Sequence, residues 1–145
     1  MGTFRFTINV AAPAEGAFDL WMNVERAHEW VEGITRVTDV SGVRGQAGFR
    51  YTLWFGGMAS PSEILEADRP RLVRNRFGNR LLRGETVVTF EPTPSGTRLT
   101  QEFRTHGLIP AIAARIFAIG SYRGSFRGEL AAFGRIAERE ARATR

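Results

Sequence analysis

Between Thr3 and Val10, apolar and polar residues alternate without a break. Phe4, Phe6, Ile8 and Val10 fall on one side, and Thr3, Arg5, Thr7 and Asn9 on the other. A sustained period of two predicts a half-buried strand. Ala12-Pro13 ends it, and Pro13 suits the first turn of a helix. A short helix is expected to about Met22, burying Phe18 and Trp21. Asn23 is placed to cap a second short helix that reaches Trp30 or Val31. Gly33 would close it.

The period of two then returns. Ile34–Val40 reads as a strand, and Gly42, Gly45 and Gly48 mark a loop. In Phe49–Phe55, Phe49, Tyr51, Leu53 and Phe55 oppose Arg50, Thr52 and Trp54. Gly56-Gly57 is a hairpin signal. Met58–Ala67 follows, where Pro61 suggests an edge or a bulge. Arg69-Pro70 turns the chain into Leu72–Phe77, and Gly78-Asn79 turns it again. Leu82–Glu91 and Thr97–Thr105 are the last strands, joined through Pro92 to Gly96. Seven strands with one helical interruption after the first predict an α+β fold built on an antiparallel meander.

The last third switches to a helical period. From Pro110 to about Arg142, Ile112, Ile116, Ile119, Phe126, Leu130, Phe133 and Ala137 recur at spacings of three and four, with one gap. That is an amphipathic stripe on one long helix. Arg123 fills the gap, where the stripe calls for an apolar residue. Gly120, Gly124 and Gly128 line a neighbouring face. A glycine costs a helix interior about 1 kcal/mol relative to alanine. Three of them point to a bend near Gly120, or to close approach of another backbone, including that of a second chain in a homodimer.

Composition narrows the chemistry. The 145 residues fit one domain, 1–145. There is no cysteine, so disulfides and thiolate chemistry are excluded. His28 and His106 are the only histidines, too few for a zinc site without other close ligands, so no metal and no cofactor is expected. No apolar run is long enough for a transmembrane segment. The N-terminus shows no basic region followed by an apolar core, which makes the cytoplasm the expected compartment. The net charge is +5, and every cationic side chain is arginine. This leaves nucleic acid or an anionic surface open as partners without arguing strongly for either.

Several stretches, taken in order, carry a family resemblance. They are Phe6-Thr7-Ile8 before Ala12-Pro13-Ala14-Glu15, Trp30 with Gly33-Ile34, and Gly45 with Gly48. Then come the run from Glu66 to Val73, Gly96-Thr97-Arg98-Leu99-Thr100, and Leu130 to Glu138. In this order and spacing the chain resembles the START-like, Bet v 1-like (SRPBCC) superfamily, most of all its polyketide cyclase/dehydrase-type branch. The resemblance implies a helix-grip fold: a seven-stranded curved antiparallel sheet wrapped around a long C-terminal helix, with two short helices after the first strand. It also implies a hydrophobic cavity between sheet and helix. Members bind lipids, polyketides or quinones, and some catalyse cyclisation or dehydration. Fold does not settle which.

Strand alternation sorts the lining. The inner face would carry Phe49, Tyr51, Leu53, Phe55, Asn75, Phe77, Thr86, Val88, Phe90, Leu99, Gln101, Phe103 and Thr105. The outer face would carry Arg50, Thr52, Arg74, Arg76, Glu85, Thr89, Arg98, Thr100, Glu102 and Arg104. Most of the inner set, with Trp30, Ile119, Arg123 and Phe126, would contact a ligand; Phe90 and Leu99 read as plain core. Tyr51, Asn75 and Gln101 fit a solid core poorly, because buried polar groups need partners. Tyr51 is a candidate proton donor or carbonyl anchor. Arg123 is a candidate for holding a carboxylate or an enolate, against a surface role through its alkyl stem. Trp21 and Trp30 would wall one end, and His106 reads as a loop histidine. No acid pair, Ser-His-Asp set or phosphate loop is present, so binding is favoured over catalysis. Arg69, Arg71, Arg74, Arg76, Arg80 and Arg83 form a dense basic cluster. It supports an alternative reading as an interaction protein, a lipid or quinone chaperone or an RNA- or ribosome-associated factor, against a solvated surface. Exposed aromatics for base stacking are missing from it.

Overall fold

A computed structural model of the chain describes residues 2–78, 83–105 and 125–144. Its strands are β1 (Gly2–Val10), β2 (Ile34–Ser41), β3 (Arg50–Phe55), β4 (Met58–Asp68), β5 (Leu72–Gly78), β6 (Arg83–Thr93) and β7 (Gly96–Thr105). Helix α1 (Ala14–Met22) and a 3-10 helix (Val24–Glu29) separate β1 from β2, and helix α2 (Phe126–Ala143) closes the chain. The seven strands form one antiparallel sheet in the order β1-β7-β6-β5-β4-β3-β2. This is the helix-grip fold. The six strands after the helices follow one another as hairpins, while β1 returns to pair with β7, from Gly2 opposite Thr105 to Val10 opposite Thr97.

That return is held at one crowded corner. Gly96 has φ +150°, and a Cβ there would lie 2.1 Å from the carbonyl oxygen of Val10. Next to it the buried Thr97 hydroxyl donates to the carbonyl of Ala12 at 2.6 Å. The largest fully buried side chains include Phe18, Phe49, Phe90, Phe133, Leu99 and Leu130. They come from α1, the inner face and α2, so the core sits between sheet and helices. At Gly134, α2 runs close to β1, and a Cβ would meet the Ile8 side chain at 2.9 Å.

Three sequence expectations need correcting. The C-terminal helix does not run unbroken from Pro110 to Arg142. Ser125 is extended (φ −83°, ψ 159°), and its side chain accepts from the Gly128 N–H at 3.0 Å, so α2 starts at Phe126. A serine N-cap satisfies an otherwise orphaned N–H, which offsets the loss of helix continuity. Residues 106–124, including the expected bend at Gly120, lie outside the described set. The second short helix is a 3-10 helix, and Asn23 makes no side-chain capping bond to it. The third is corrected only in part: β4 is an interior strand, but at Pro61, opposite Thr52 of β3, it is a local edge with no partner from β5. The ladder to β5 begins one residue later, at Ser62 opposite Phe77, so no donor is required of Pro61 on that side.

Candidate functional site

A cavity of about 130 Å³ lies between the inner face of β3–β7, the segment from Trp21 to Val31, and the first turns of α2. Much of its lining is aromatic. Trp21 and Trp30 stack with ring centroids 6.3 Å apart, and both meet Phe133 edge-on, at 5.0 and 5.1 Å. In a second aromatic group, against which Trp21 also packs, Phe126 stacks on Phe103 at 3.8 Å, and Phe6 and Phe77 meet Phe103 edge-on. Phe126 is the first residue of α2, so the break at Ser125 sets this ring against the sheet.

Across this apolar surface runs a stepped polar line, one residue per strand. Tyr51 of β3 is opposite Ser62 of β4. Asn75 of β5 lies two residues from Phe77, the partner of Ser62, and is opposite Thr86 of β6. Gln101 of β7 lies two residues from Phe103, the partner of Thr86. Diagonal neighbours of this kind are about 7–8 Å apart. The Thr86 hydroxyl donates to Asn75 Oδ1. All five residues are buried and line the cavity. Burial pushes the Tyr51 phenol up to about 12, and the nearby Ser62 hydroxyl pulls it back in part. Tyr51 is therefore neutral at physiological pH and acts there as a hydrogen-bond donor rather than a base.

The sequence matches the family described as "Polyketide cyclase / dehydrase and lipid transport" over residues 1–138. The chain belongs to this family. Solved structures agree on its fold. A Mesorhizobium loti protein, MLL2253, superposes with a TM-score of 0.70 at 18% identity, covering 95% of this chain and 98% of the other. StfQ, the di-domain ARO/CYC protein of the steffimycin biosynthetic pathway, gives 0.67 at 16%, covering 96% of this chain and 51% of that one. TTHA0849 of Thermus thermophilus gives 0.65 at 16%, covering 99% of both. At these identities the likeness shows the fold alone. None of the curated proteins matches the chain.

Within this polyketide cyclase-type fold, the cavity brings together most of the residues singled out from sequence. Trp30, Tyr51, Leu53, Phe55 and Asn75 line it, as do Phe77, Thr86, Gln101, Phe103 and Phe126. Phe49 and Val88 do not. Both are fully buried in the core, because the inner face is packed solid beyond the cavity floor. Ile119, Arg123 and His106 lie outside the described residues. Sequence reasoning misses three polar lining residues: Ser60, Ser62 and Glu129. The two serines alternate in phase with the inner face, but Pro61 between them obscures that pattern. Glu129 stands three residues after Phe126 and four before Phe133, so its spacing already puts it on the buried stripe of α2.

The outer face is ionic. Arg50, Glu63, Arg76, Glu85 and Arg104 sit opposite one another in turn across β3 to β7, a row of alternating charge. Arg76 reaches Glu63 at 2.7 Å, and Arg74 reaches Glu85 at 3.2 Å and Glu66 at 3.4 Å. Arg69 bonds Asp19 with both donors at 2.8 Å, and Arg71 pairs with Asp68. Four of the six clustered arginines therefore have carboxylate partners, which cancels much of the positive field a nucleic acid would seek. Arg80 lies outside the described residues. No helix among the described residues is long and apolar enough to cross a membrane. No group of three or more His, Cys, Asp or Glu among them is placed to hold a metal ion.

Proposed function

We propose that the chain, acting as one domain, binds a small hydrophobic molecule between the sheet and α2, and that binding rather than turnover is its task. The observation that carries this is the cavity lining: aromatic side chains crossed by a stepped line of buried polar groups, an arrangement suited to orienting an apolar ligand. The family description, with its cyclase, dehydrase and lipid-transport members, supports a hydrophobic ligand. The chemistry at hand favours binding. Among the described lining residues the ionisable groups are Tyr51 and Glu129, and burial keeps Tyr51 neutral. A cyclase or dehydrase needs groups that both give and take protons near neutral pH, and Glu129 is the one described lining carboxyl, without a second acid or base beside it among the described lining residues. Tyr51 can donate a hydrogen bond to a carbonyl and so fix a ligand's orientation.

The test begins with native mass spectrometry of the protein purified from its own host, looking for a co-purified small molecule. Titration with apolar compounds, followed by Trp21 and Trp30 fluorescence, should give saturable changes that persist in 0.5 M salt, a concentration chosen to be about three times physiological. No response to any compound would overturn the reading. Binding only to RNA, with a steep loss as salt rises, would replace it with the surface reading.

A further inference from the structure

The cavity is small, and its polar groups are unevenly satisfied. An apolar cavity of about 150 Å³ takes one benzene ring. The volume here, about 130 Å³, is of that size. A fused polycycle or a long acyl chain would extend beyond this space.

Two side-chain amides face this space. Gln101 is 7% exposed and lines the cavity, and its amide has no hydrogen-bond partner among the described residues. Asn75 is 9% exposed; its Oδ1 accepts from Thr86, while its Nδ2 has no partner among the described residues. Neither amide is among the fully enclosed unpaired polar atoms of the described residues, so both reach the accessible space of the cavity, where a partner from outside the chain can meet them. They sit on β5 and β7, on either side of Thr86 of β6, and both line the same cavity. No arginine or histidine lines the cavity among the described residues. A buried carboxylate on the ligand would find no described cation to offset its desolvation.

From these observations we propose that the cavity takes an uncharged single-ring molecule bearing a hydroxyl or a carbonyl, held at its oxygen by the amides of Gln101 and Asn75 and at its ring by the aromatic walls. The proposal rests on the binding reading above and adds the size and polarity of the ligand.

The experiment is an NMR titration of the full chain, labelled with 15N, using four probes: phenol, toluene, benzoate and 1-naphthol. Phenol should saturate and move the side-chain NH2 signals of Asn75 and Gln101. Toluene should bind about tenfold more weakly, the value of one hydrogen bond. Benzoate and 1-naphthol should leave both amide signals in place. In Gln101→Leu, phenol should fall to the level of toluene while toluene is unchanged. The comparison of phenol with toluene in the unmodified protein stands even if that variant fails to fold. Equal affinities for phenol and toluene would mean that the amides hold only water, and would overturn the polarity claim. Binding of 1-naphthol as tightly as phenol would overturn the size claim. Either result leaves the cavity a binding site. Silence from all four probes would overturn this proposal; the binding reading would fall with it only if native mass spectrometry also found no co-purified molecule.

Discussion

Asn75 and Arg76 follow one another in β5 and meet opposite surroundings. Asn75 is buried, bonded to Thr86, and lines the cavity. Arg76 is exposed and shares Glu63 with Arg50. The same contrast repeats along β3 to β7: apolar and amide groups inside, alternating charge outside. The two faces are stabilised by different physics. Inside, stability comes from area removed from water and from close packing, at about 25 cal/mol per Å² of apolar surface. Outside, it comes from ion pairs that water screens, each contributing about 0–1 kcal/mol. The inner face should therefore dominate folding, and the outer face should mainly keep the sheet hydrated and its edges unpaired.

The largest effect should come from the ring that joins the inner face to α2. Phe133 is 0% exposed and meets both Trp21 and Trp30. Phe133→Ala should cost about 3–5 kcal/mol in urea unfolding, since the space left cannot collapse without moving two tryptophans. It should also shift tryptophan emission in the folded state. A loss below about 1 kcal/mol, the value of a surface pair, would break the contrast between the faces.

Tyr51 gives the next effect. Its folded pKa is raised to about 12 by burial, so the folded state keeps its proton where the unfolded chain has lost it. The stabilising contribution is fully present below pH 10, the ordinary tyrosine value, and is lost as pH rises from 10 toward 12. At 1.36 kcal/mol per unit the loss approaches about 3 kcal/mol. Urea midpoints measured from about pH 9 to 11.5, a range that brackets the ordinary tyrosine value, should fall steeply, and the fall should shrink in Tyr51→Phe. An unchanged slope in that variant would place the phenol in contact with water.

Much of the fold is written in local periodicity. The alternation in Thr3–Val10 and Phe49–Phe55 places β1 and β3 within a residue or so, because each strand has one wet and one dry face. The pairing of β1 with β7 is not legible, because it joins residues almost a hundred positions apart and no local pattern encodes it. The start of α2 is hidden for a different reason. The apolar stripe from Ile112 to Ala137 keeps its phase through Ser125, and only the capping bond to Gly128 reveals the break. At the candidate site, alternation finds Tyr51, Asn75, Thr86 and Gln101 but cannot say that the cavity stops short of Phe49 and Val88. Where packing ends and space begins depends on rotamers and on the seat of α2. Glu129 is legible by spacing, yet a charged residue on a buried stripe reads as its margin.

The smallest effect is the sharpest test of the contrast. Glu63 accepts from Arg76 at 2.7 Å and lies 3.5 Å from Arg50, in the middle of the charge row. Its side chain is 23% exposed and that of Arg76 62% exposed, so solvent screens the pair. A double-mutant cycle on Glu63→Gln and Arg76→Gln should give a coupling of about 0.5 kcal/mol in low salt. It should vanish near 1 M salt, where the screening length is about 3 Å. A coupling above about 2 kcal/mol that survives high salt would mean that the row behaves as a buried network. The outer face would then help to set the curvature of the sheet, and with it the width of the cavity. A vanishing coupling leaves cavity width to the packing of Phe126, Leu130 and Phe133 against the inner face.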